Sequence, residues 1–469
     1  MVWRFAERIL SQGIGFVISI ILARIIGPDE YGVIAIVMVV MSILQVFIDS
    51  GMATALIQKK DAVESDFSTI FHFNWMMGLV LYILLYFASP YIAGFYDNAE
   101  LTSVLRVMGL ILVVSSLRNV QQAIVSKRMV FRKFFYANTI GTILSGVIGI
   151  AMAYLGYGVW ALVMQHIANI VLNTIVLWFT VKWRPKLIFS VESFYGLFGF
   201  GWKILVSKII DTIYMNLRSL IIGKKYTRLD LAFYQRAKIF PETIISNINT
   251  SIDSVLLPTM SDVQDDRSRL RDMTRRSIKV STYLMSPLML IMFVAAEPMI
   301  RFLLTDKWMM CVPYLRIFCI TFMFYPIHTA NLNAIKALGR SDLFLKLEIA
   351  KKIVGVTAIL LTMWHSVLAM ALSGLVVSIL SQIINSWPNK RLLGYSYIDQ
   401  LKDIMPNIIA SVIMAFAVYW LTIVKMPDIC ILALQLLAGL AIYLAISKIM
   451  RLDSLEYVML IINIKKKKK

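Results

Sequence analysis

Residues 198–260 read FGFGWKILVSKIIDTIYMNLRSLIIGKKYTRLDLAFYQRAKIFPETIISNINTSIDSVLLPTM, and this stretch guides the interpretation of the whole chain. It predicts two apolar helices that each carry charged side chains. At about 100° per residue, Lys208, Asp211 and Arg218 fall within an arc of roughly 80° on the first helix. Other faces are occupied by Ile209, Ile210, Ile213 and Leu217. On the second helix polar side chains recur every three or four residues and share one face, at Lys238, Glu242, Ser246, Asn249 and Asp253.

The composition places these helices in a lipid bilayer. Hydrophobic residues make up 59% of the 469 residues and charged residues 16%, and the mean hydropathy is +0.75. Apolar runs of about 20 residues, the length that crosses a bilayer as an α-helix, recur along the chain with short connections. Alternating strand patterns are absent from the sequence, which argues against a β-barrel. The sequence therefore predicts an all-α integral membrane protein.

The hydropathy pattern predicts fourteen transmembrane helices, at about 7–26, 33–56, 68–88, 103–125, 135–154, 159–181, 199–222, 231–257, 280–300, 312–335, 345–363, 366–386, 405–424 and 428–448. Residues 25–37 resemble residues 220–240, and residues 119–134 resemble residues 331–347, as in transporters built from two similar halves. We therefore predict two six-helix lobes and two further helices, arranged as an N-lobe at 1–181, a cytoplasmic linker at 182–198, a C-lobe at 199–392, two C-terminal helices at 404–449 and a basic cytoplasmic tail at 450–469.

The positive charges lie mainly on one side of this topology. The net charge is +20, a value that nucleic-acid-binding proteins also reach, but the lysines and arginines cluster in alternate connections. The connections 27–32, 89–102, 155–158 and 364–365 contain no Lys or Arg. Because basic loops resist translocation, both termini are expected in the cytoplasm and no nucleic-acid partner is expected. Six basic residues are exceptions to this distribution, because the predicted topology places them on the outer side. They are Lys224, Lys225, Arg228, Arg301, Lys307 and Lys425.

Charged residues inside the predicted spans are the main functional signal. An uncompensated charge at the bilayer centre costs about 2.5–3.5 kcal/mol on insertion scales, so such residues usually face a cavity or a partner. Lys208, Asp211 and Arg218 have two readings. They can line a water-filled path whose cations attract a diphosphate. Alternatively, Lys208 and Asp211 neutralise each other and Arg218 extends to the outer headgroups.

Further polar residues extend the candidate set. Arg118 and Gln122 belong to a polar stripe on the fourth span. Gln12 lies on a polar face of the first span, whose Arg4 and Arg8 read more simply as cytoplasmic anchors. Arg24 ends that span, where a cation stabilises the helix dipole, and a substrate role is the second reading. Glu242 and Asp253 are candidate groups for a coupling proton or sodium ion, although pairing of Glu242 with Lys238 is an equal alternative.

The sequence offers no sign of enzymatic chemistry. Cys311, Cys319 and Cys430 lie in or beside apolar segments without metal-ligand spacing, so they are expected to serve helix packing. The four histidines share no motif, and nothing resembles a nucleophile elbow or a phosphate-binding loop. We therefore expect no catalytic residues, no cofactor and no metal.

Six stretches carry a resemblance to a known family, and they are ILARIIGPDEYGVIAI, DSGMATALIQKKD, GYGVWALV, IIGKKYTRLDLAFYQRA, LLPTMSDVQDDRSRLR and ALGRSDLFLKLEIAKK. They extend from Ile21 to about Lys352. The chain resembles polysaccharide flippases of the multidrug/oligosaccharidyl-lipid/polysaccharide exporter superfamily, in the branch of colanic-acid and teichuronic-acid exporters. Ala232 departs from the pattern, which usually has glycine before the tyrosine, and the departure bears on local packing.

The resemblance implies both a shape and a substrate. It implies a V-shaped pair of six-helix lobes that open alternately to either face of the bacterial cytoplasmic membrane. The implied substrate is an undecaprenyl-diphosphate-linked oligosaccharide, moved among membrane lipids without a chemical reaction. The alternative is a cation-coupled drug or small-molecule antiporter of the same superfamily.

Overall fold

The structure is a computed structural model that describes residues 2–49, 51–423 and 426–459, with side chains from residue 10 onward except at 251. All regular secondary structure within these ranges is helical, which confirms the predicted class. The chain divides into two compact units, Met1–Ala232 and Phe233–Lys469. Lys425, the end of the predicted basic tail at 460–469 and the side chains of Arg4 and Arg8 lie outside the described residues.

In the part of the first unit that the structure describes there are eight helices and the start of a ninth. They are α1 (Val2–Ile25), α2 (Pro28–Ile48), α3 (Gly51–Gln58), α4 (Glu64–Phe95), α5 (Glu100–Lys127), α6 (Arg132–Tyr154), α7 (Val159–Thr180), α8 (Val191–Lys225) and the first residues of α9 (Arg228–Ser261). Helix α4 packs against α5, α6 packs against α7 and α1, and α8 packs against α2 and α3. Glycine permits the closest approaches, because a Cβ on Gly51 would lie 2.2 Å from the carbonyl oxygen of Gly201.

The cytoplasmic end of this unit, in the predicted topology, has its own apolar core. Leu56, Phe71, Ile124 and Leu177 are buried there and come from four different helices. The connection before α8 is held against α4, since the Lys186 backbone N–H donates to Ser68 Oγ at 3.1 Å. Helix α8 begins at Val191, within the predicted linker, and packs on helices of the predicted N-lobe. The lobe boundaries themselves stay a prediction.

Within the described residues, the second unit contains the remainder of α9 and eight longer helices, and residues 453–459 are also helical. The eight longer helices are α10 (Arg267–Val294), α11 (Ala296–Leu304), α12 (Cys311–Met323), α13 (Tyr325–Ala337), α14 (Ser341–Thr362), α15 (Val367–Leu393), α16 (Tyr397–Tyr419) and α17 (Asp428–Ile449). Helix α10 packs against α12, α13 and α16, while α14 packs on α15 and α16 on α17. Short 3-10 turns lie at Asp306–Trp308 and Trp420–Ile423.

One buried carboxylate connects α10 to α16. Asp403 Oδ2 and Oδ1 accept hydrogen bonds from Nε and Nη2 of Arg275, both at 2.7 Å. The hydroxyl of Tyr395 donates to Oδ2 at 2.9 Å, and Lys279 Nζ lies 3.4 Å from Oδ1. Only 7% of the Asp403 side chain is exposed. This carboxylate is one of several polar connections between the two helices, with the hydrogen bond between Ser286 and Ser411 as another.

Three predicted spans are interrupted helices. The span at 33–56 comprises α2 and α3, the span at 280–300 crosses the break at Ala295, and the span at 312–335 is divided at Phe324. At the last of these, Pro326 stands in the first turn of α13, where its missing N–H is tolerated. The break after α2 frees a carbonyl group, and Asn119 Nδ2 satisfies it by donating to Ile48 O at 2.6 Å. Hydropathy predicted the lengths of these spans but not their breaks.

Ten helical segments of the described chain are long and apolar enough to cross a membrane. The chain is therefore a multi-pass membrane protein. The predicted spans at 7–26, 199–222, 231–257 and 345–363 coincide with α1, α8, α9 and α14, which carry more charge or a shorter apolar run. The number of fourteen transmembrane helices stays a prediction.

Candidate functional site

Helices α2, α5 and α8 are joined by polar side chains in the first unit. Ser42 Oγ, on α2, accepts a hydrogen bond of 3.2 Å from Asn216 Nδ2 of α8. The Asn119 amide of α5 donates to the last carbonyl of α2, as described above. Because Ser42 meets Asn216 and Gly51 meets Gly201, the α2–α3 segment and α8 run antiparallel. Their register brings the part of α8 around Lys208 beside the end of α2.

Asp49 lies at this end of α2 and is the centre of a charged group. Its Oδ1 accepts a hydrogen bond of 3.4 Å from Gln45 Nε2, one helical turn earlier. Arg118 of α5 and Lys208 of α8 both interact electrostatically with the carboxylate. We call Gln45, Asp49, Arg118 and Lys208 the Asp49 cluster. The structure thus brings together two of the predicted site residues, Arg118 and Lys208, around a carboxylate that was not among them.

The charged groups of the Asp49 cluster are accessible to a ligand. The side chains of Asp49 and Lys208 are exposed and that of Arg118 is half-buried. Among the described side chains, none of the three forms an ion pair of 4.0 Å or less. Arg118 offers a planar fork of donors and Lys208 a compact charge, which together suit an anion with several oxygens. With one carboxylate and two cations, the cluster carries a net charge of about +1 at neutral pH.

The other predicted residues of the first unit lie elsewhere on the same helices or on α1. Asp211 is exposed and Arg218 half-buried, both farther along α8, and Gln122 is half-buried one turn after Arg118. Gln12 and Arg24 are exposed on α1, which packs mainly on α6, and Arg24 stands in the last turn of α1 as predicted. None of these five residues belongs to the Asp49 cluster.

The two candidate coupling groups belong to the second unit, and each has a partner. Lys238 Nζ lies 3.4 Å from Glu242 Oε1, the pairing that the sequence left as an alternative. Asp253 Oδ1 accepts a hydrogen bond of 2.6 Å from Asn333 Nδ2 of α13. In the described part of the chain, no group of three or more His, Cys, Asp or Glu side chains is arranged to hold a metal ion.

A buried group of amides in the second unit was not predicted. Asn331 of α13 and Gln400 of α16 exchange two hydrogen bonds of 2.9 Å each, and Asn389 Nδ2 of α15 donates to Asn331 Oδ1 at 2.7 Å. All three residues are fully buried. Asparagine and glutamine carry no formal charge, so the presence of charged residues inside the spans does not indicate them. For Asn389, its spacing of four and seven residues from Asn385 and Gln382 along α15 is the signal that would have indicated it.

Three of the cations that the predicted topology places outside form ion pairs with acidic side chains. Arg228 Nη2 lies 2.6 Å from Asp29 Oδ2, and Lys224 Nζ lies 3.0 Å from Asp97 Oδ2. Arg301 Nη2 lies 3.1 Å from Glu297 Oε1 and also faces Asp306 and Asp428. The positive-inside rule counts Lys and Arg whether or not they are paired, so these residues stay exceptions to the predicted topology.

The family model described as "Polysaccharide biosynthesis protein" matches residues 21–313, a range that contains the whole Asp49 cluster. This chain belongs to that family. The match confirms the resemblance that the sequence motifs indicate. Polysaccharide biosynthesis proteins similar to this chain include two curated relatives. The teichuronic acid biosynthesis protein TuaB of Bacillus subtilis (strain 168) is 25% identical over 357 residues, which cover 75% of this chain and 72% of TuaB.

The second relative is the lipopolysaccharide biosynthesis protein WzxC of Escherichia coli (strain K12). It is 23% identical over 403 residues, which cover 84% of this chain and 81% of WzxC. Among solved structures, the lipid II flippase MurJ in an inward closed conformation aligns with 96% of this chain and 98% of its own, at a TM-score of 0.75 and 17% identity. This polysaccharide biosynthesis protein therefore has the same fold as that flippase.

Proposed function

We propose that this protein moves undecaprenyl-diphosphate-linked oligosaccharide units across the bacterial cytoplasmic membrane for the biosynthesis of O-antigen, capsule or exopolysaccharide. Its family and the printed names of TuaB and WzxC support a role in polysaccharide biosynthesis. Its fold, shared with the lipid II flippase MurJ, supports transport of a lipid-linked substrate by alternating access. The protein then binds and releases its substrate without catalysing a reaction.

The observation that carries this proposal is the Asp49 cluster. A diphosphate that loses part of its water needs cations, and a cation inside an apolar unit interacts more strongly than one on a surface because the local dielectric is lower. Arg118 supplies bidentate hydrogen bonds and Lys208 a second positive charge. In the proposal, Asp211, Arg218, Gln122, Gln12 and Arg24 contact the headgroup at other points of its path. The prenyl tail stays in lipid.

The proposed transport cycle uses the lobes predicted from the sequence. The lobes are residues 1–181 and 199–392, connected by the linker at 182–198, with helices at 404–449, a basic tail at 450–469 and both termini in the cytoplasm. The distribution of basic residues supports this orientation. Glu242 and Asp253 are the proposed groups for a coupling proton or sodium ion, and in that role each must exchange its present partner for the ion.

The direct test is the phenotype of a deletion strain. We expect lipid-linked oligosaccharide to accumulate inside the cell and surface glycan to be lost, and the wild-type gene to restore export. Normal surface glycan together with raised drug sensitivity would instead identify a drug antiporter and exclude the proposal.

Variants of the Asp49 cluster connect this phenotype to the site. Arg118→Ala and Lys208→Ala are each expected to abolish export while the membrane still contains normal amounts of protein. Lys203→Ala is the matched control, because Lys203 is an exposed lysine on another face of α8 and should export normally. Equal export by all three variants would place the substrate site elsewhere.

A further variant separates the two readings of Lys208. If Lys208 only neutralises Asp211, then Lys208→Ala should lower the amount of folded protein, and adding Asp211→Ala should restore both the protein and export. The proposal expects the double variant to be present in the membrane but inactive. Membrane protein level and surface glycan, measured in the same cells, distinguish these outcomes.

A further inference from the structure

We propose that Asp49 is a built-in competitor of the substrate, a carboxylate that occupies Arg118 and Lys208 electrostatically and so limits how tightly they hold a diphosphate. The inference rests on the proposed function and adds a role for a residue in release. A transport site must bind strongly enough to load and weakly enough to unload. Two cations alone in an apolar unit favour loading only.

The backbone on both sides of Asp49 fixes the position of the carboxylate. The N–H of Asp49 donates to Gln45 O at 2.9 Å, which closes the last turn of α2. One residue before it, Ile48 O accepts the hydrogen bond from Asn119, the neighbour of Arg118. Two residues after it, Gly51 contacts the backbone of α8 so closely that a Cβ would not fit. The helices that carry the two cations are therefore held close to Asp49 on either side.

The Gln45 amide gives the Asp49 carboxylate a hydrogen-bond donor besides the two cations. Its Nε2 donates to Asp49 Oδ1 at 3.4 Å, a long hydrogen bond that can shorten when another anion takes the cations. No covalent bond forms or breaks in this exchange. Diphosphate oxygens replace the carboxylate as the counter-ion of Arg118 and Lys208, and the carboxylate returns when the substrate leaves.

Binding by the purified full-length protein in detergent tests whether Asp49 competes with the diphosphate for the two cations. The probe is farnesyl diphosphate, with farnesol as the uncharged control. Asp49→Asn keeps the size of the side chain and removes its charge, so its Kd should be lower than that of the wild type by about tenfold. Gln45→Leu should shift the Kd in the opposite direction, by about threefold, because the carboxylate then depends on the cations alone. Asp49→Glu should resemble the wild type.

Export by the same variants tests whether Asp49 promotes release of the substrate. Affinity changes appear mainly in the dissociation rate, so Asp49→Asn should bind more tightly yet export about tenfold less glycan. Asp61→Asn is the matched control, because Asp61 is an exposed aspartate just after α3 and outside the Asp49 cluster. It should leave both binding and export unchanged. A merely structural role for Asp49 would weaken binding and export together.

The outcomes separate this inference from the proposed function. If the wild type binds farnesyl diphosphate and Asp49→Asn binds it equally or more weakly, Asp49 is not a competitor, while the proposed function stands. If the wild type binds no diphosphate and both Arg118→Ala and Lys208→Ala export normally, the proposed site itself is wrong. Should Asp49→Asn fail to fold, the opposite shift expected for Gln45→Leu still decides, because an unchanged or lower Kd would overturn the proposal.

Discussion

Asp403 illustrates how much one carboxylate can contribute to the stability of the protein when it is buried among several hydrogen-bond donors. Arg275, Tyr395 and Lys279 all face it, and they come from α10 and from the segment that connects α15 to α16. Asp453 also pairs with Lys279, at 2.9 Å, but 63% of its side chain is exposed. Water screens an exposed pair, whereas removal of one partner of a buried pair leaves the other partner's charge uncompensated.

We therefore expect Asp403→Asn to lower the stability of the purified protein by about 3 kcal/mol. Asp453→Asn should lower it by no more than about 1 kcal/mol. Thermal unfolding in detergent, with both variants compared with the wild type, measures the difference. Equal losses for the two variants would show that burial does not decide the contribution of this network.

The residues of the candidate site were predicted in part. Lys208 and Arg118 were found because a charge inside an apolar span is conspicuous in a sequence. Asp49 also lies within a predicted span, the one at 33–56, so the same signal was present, but the residue was considered only as part of the motif DSGMATALIQKKD. Ser42, Gln45 and Asp49 are spaced three and four residues apart, so the polar face of α2 was present in the sequence. The approach of Arg118 from α5 depends on packing that no local pattern specifies.

At the scale of the elements, contacts with other helices accompany the interruption of the span at 33–56. The apolar run of residues 33–56 continues through Asp49, so hydropathy predicts one helix there. The break depends on contacts with α5 and α8, which come from residues far along the chain. The existence of the helices was predictable because each needs a long apolar run. The partners of the helices were not predictable, since these depend on tertiary contacts, and of the interruptions only the one at Phe324 has a local signal, Pro326.

The start of α2 gives a direct test of such a contact. A Cβ on Gly32 would lie 2.2 Å from the carbonyl oxygen of Arg228, at the first turn of α9. Because backbone cannot yield as a side chain does, Gly32→Ala should force these helices apart and cost about 1–3 kcal/mol. Gly13→Ala is the control, since a Cβ on Gly13 meets nothing within 4 Å. It should leave stability unchanged or raise it by up to about 1 kcal/mol.

Thermal unfolding of the two glycine variants in detergent measures both effects. A melting temperature for Gly32→Ala at or above that of Gly13→Ala would mean that the α2–α9 contact can relax without cost.

At the scale of the whole molecule, the orientation in the membrane follows from the distribution of charge. The connection that contains Asn98 has no basic residue, whereas the first turns of α10 contain several arginines. Cysteine at position 98 should therefore react with an impermeant reagent added to intact cells. Cysteine at position 268 should react only after permeabilisation.

This experiment needs a background without reactive native thiols. Cys311 and Cys319 are buried, but Cys430 is exposed and should first be replaced by serine. Labelling at 268 and protection at 98 in intact cells would invert the proposed orientation.

The ion pair of Arg228 and Asp29 makes the protein sensitive to the salt concentration of the medium in which the cell grows. Both side chains are more than two-fifths exposed, at 43% and 44%, and in the proposed orientation they face the outside. Dissolved ions screen such a pair, with a Debye length of about 10 Å at 0.1 M and about 3 Å at 1 M salt. In the proposed cycle α8 and α9 belong to the second lobe, so this pair must part whenever the outer end opens. External salinity should then favour the outward-open form, so that the ions of the environment adjust the rate at which glycan reaches the cell surface.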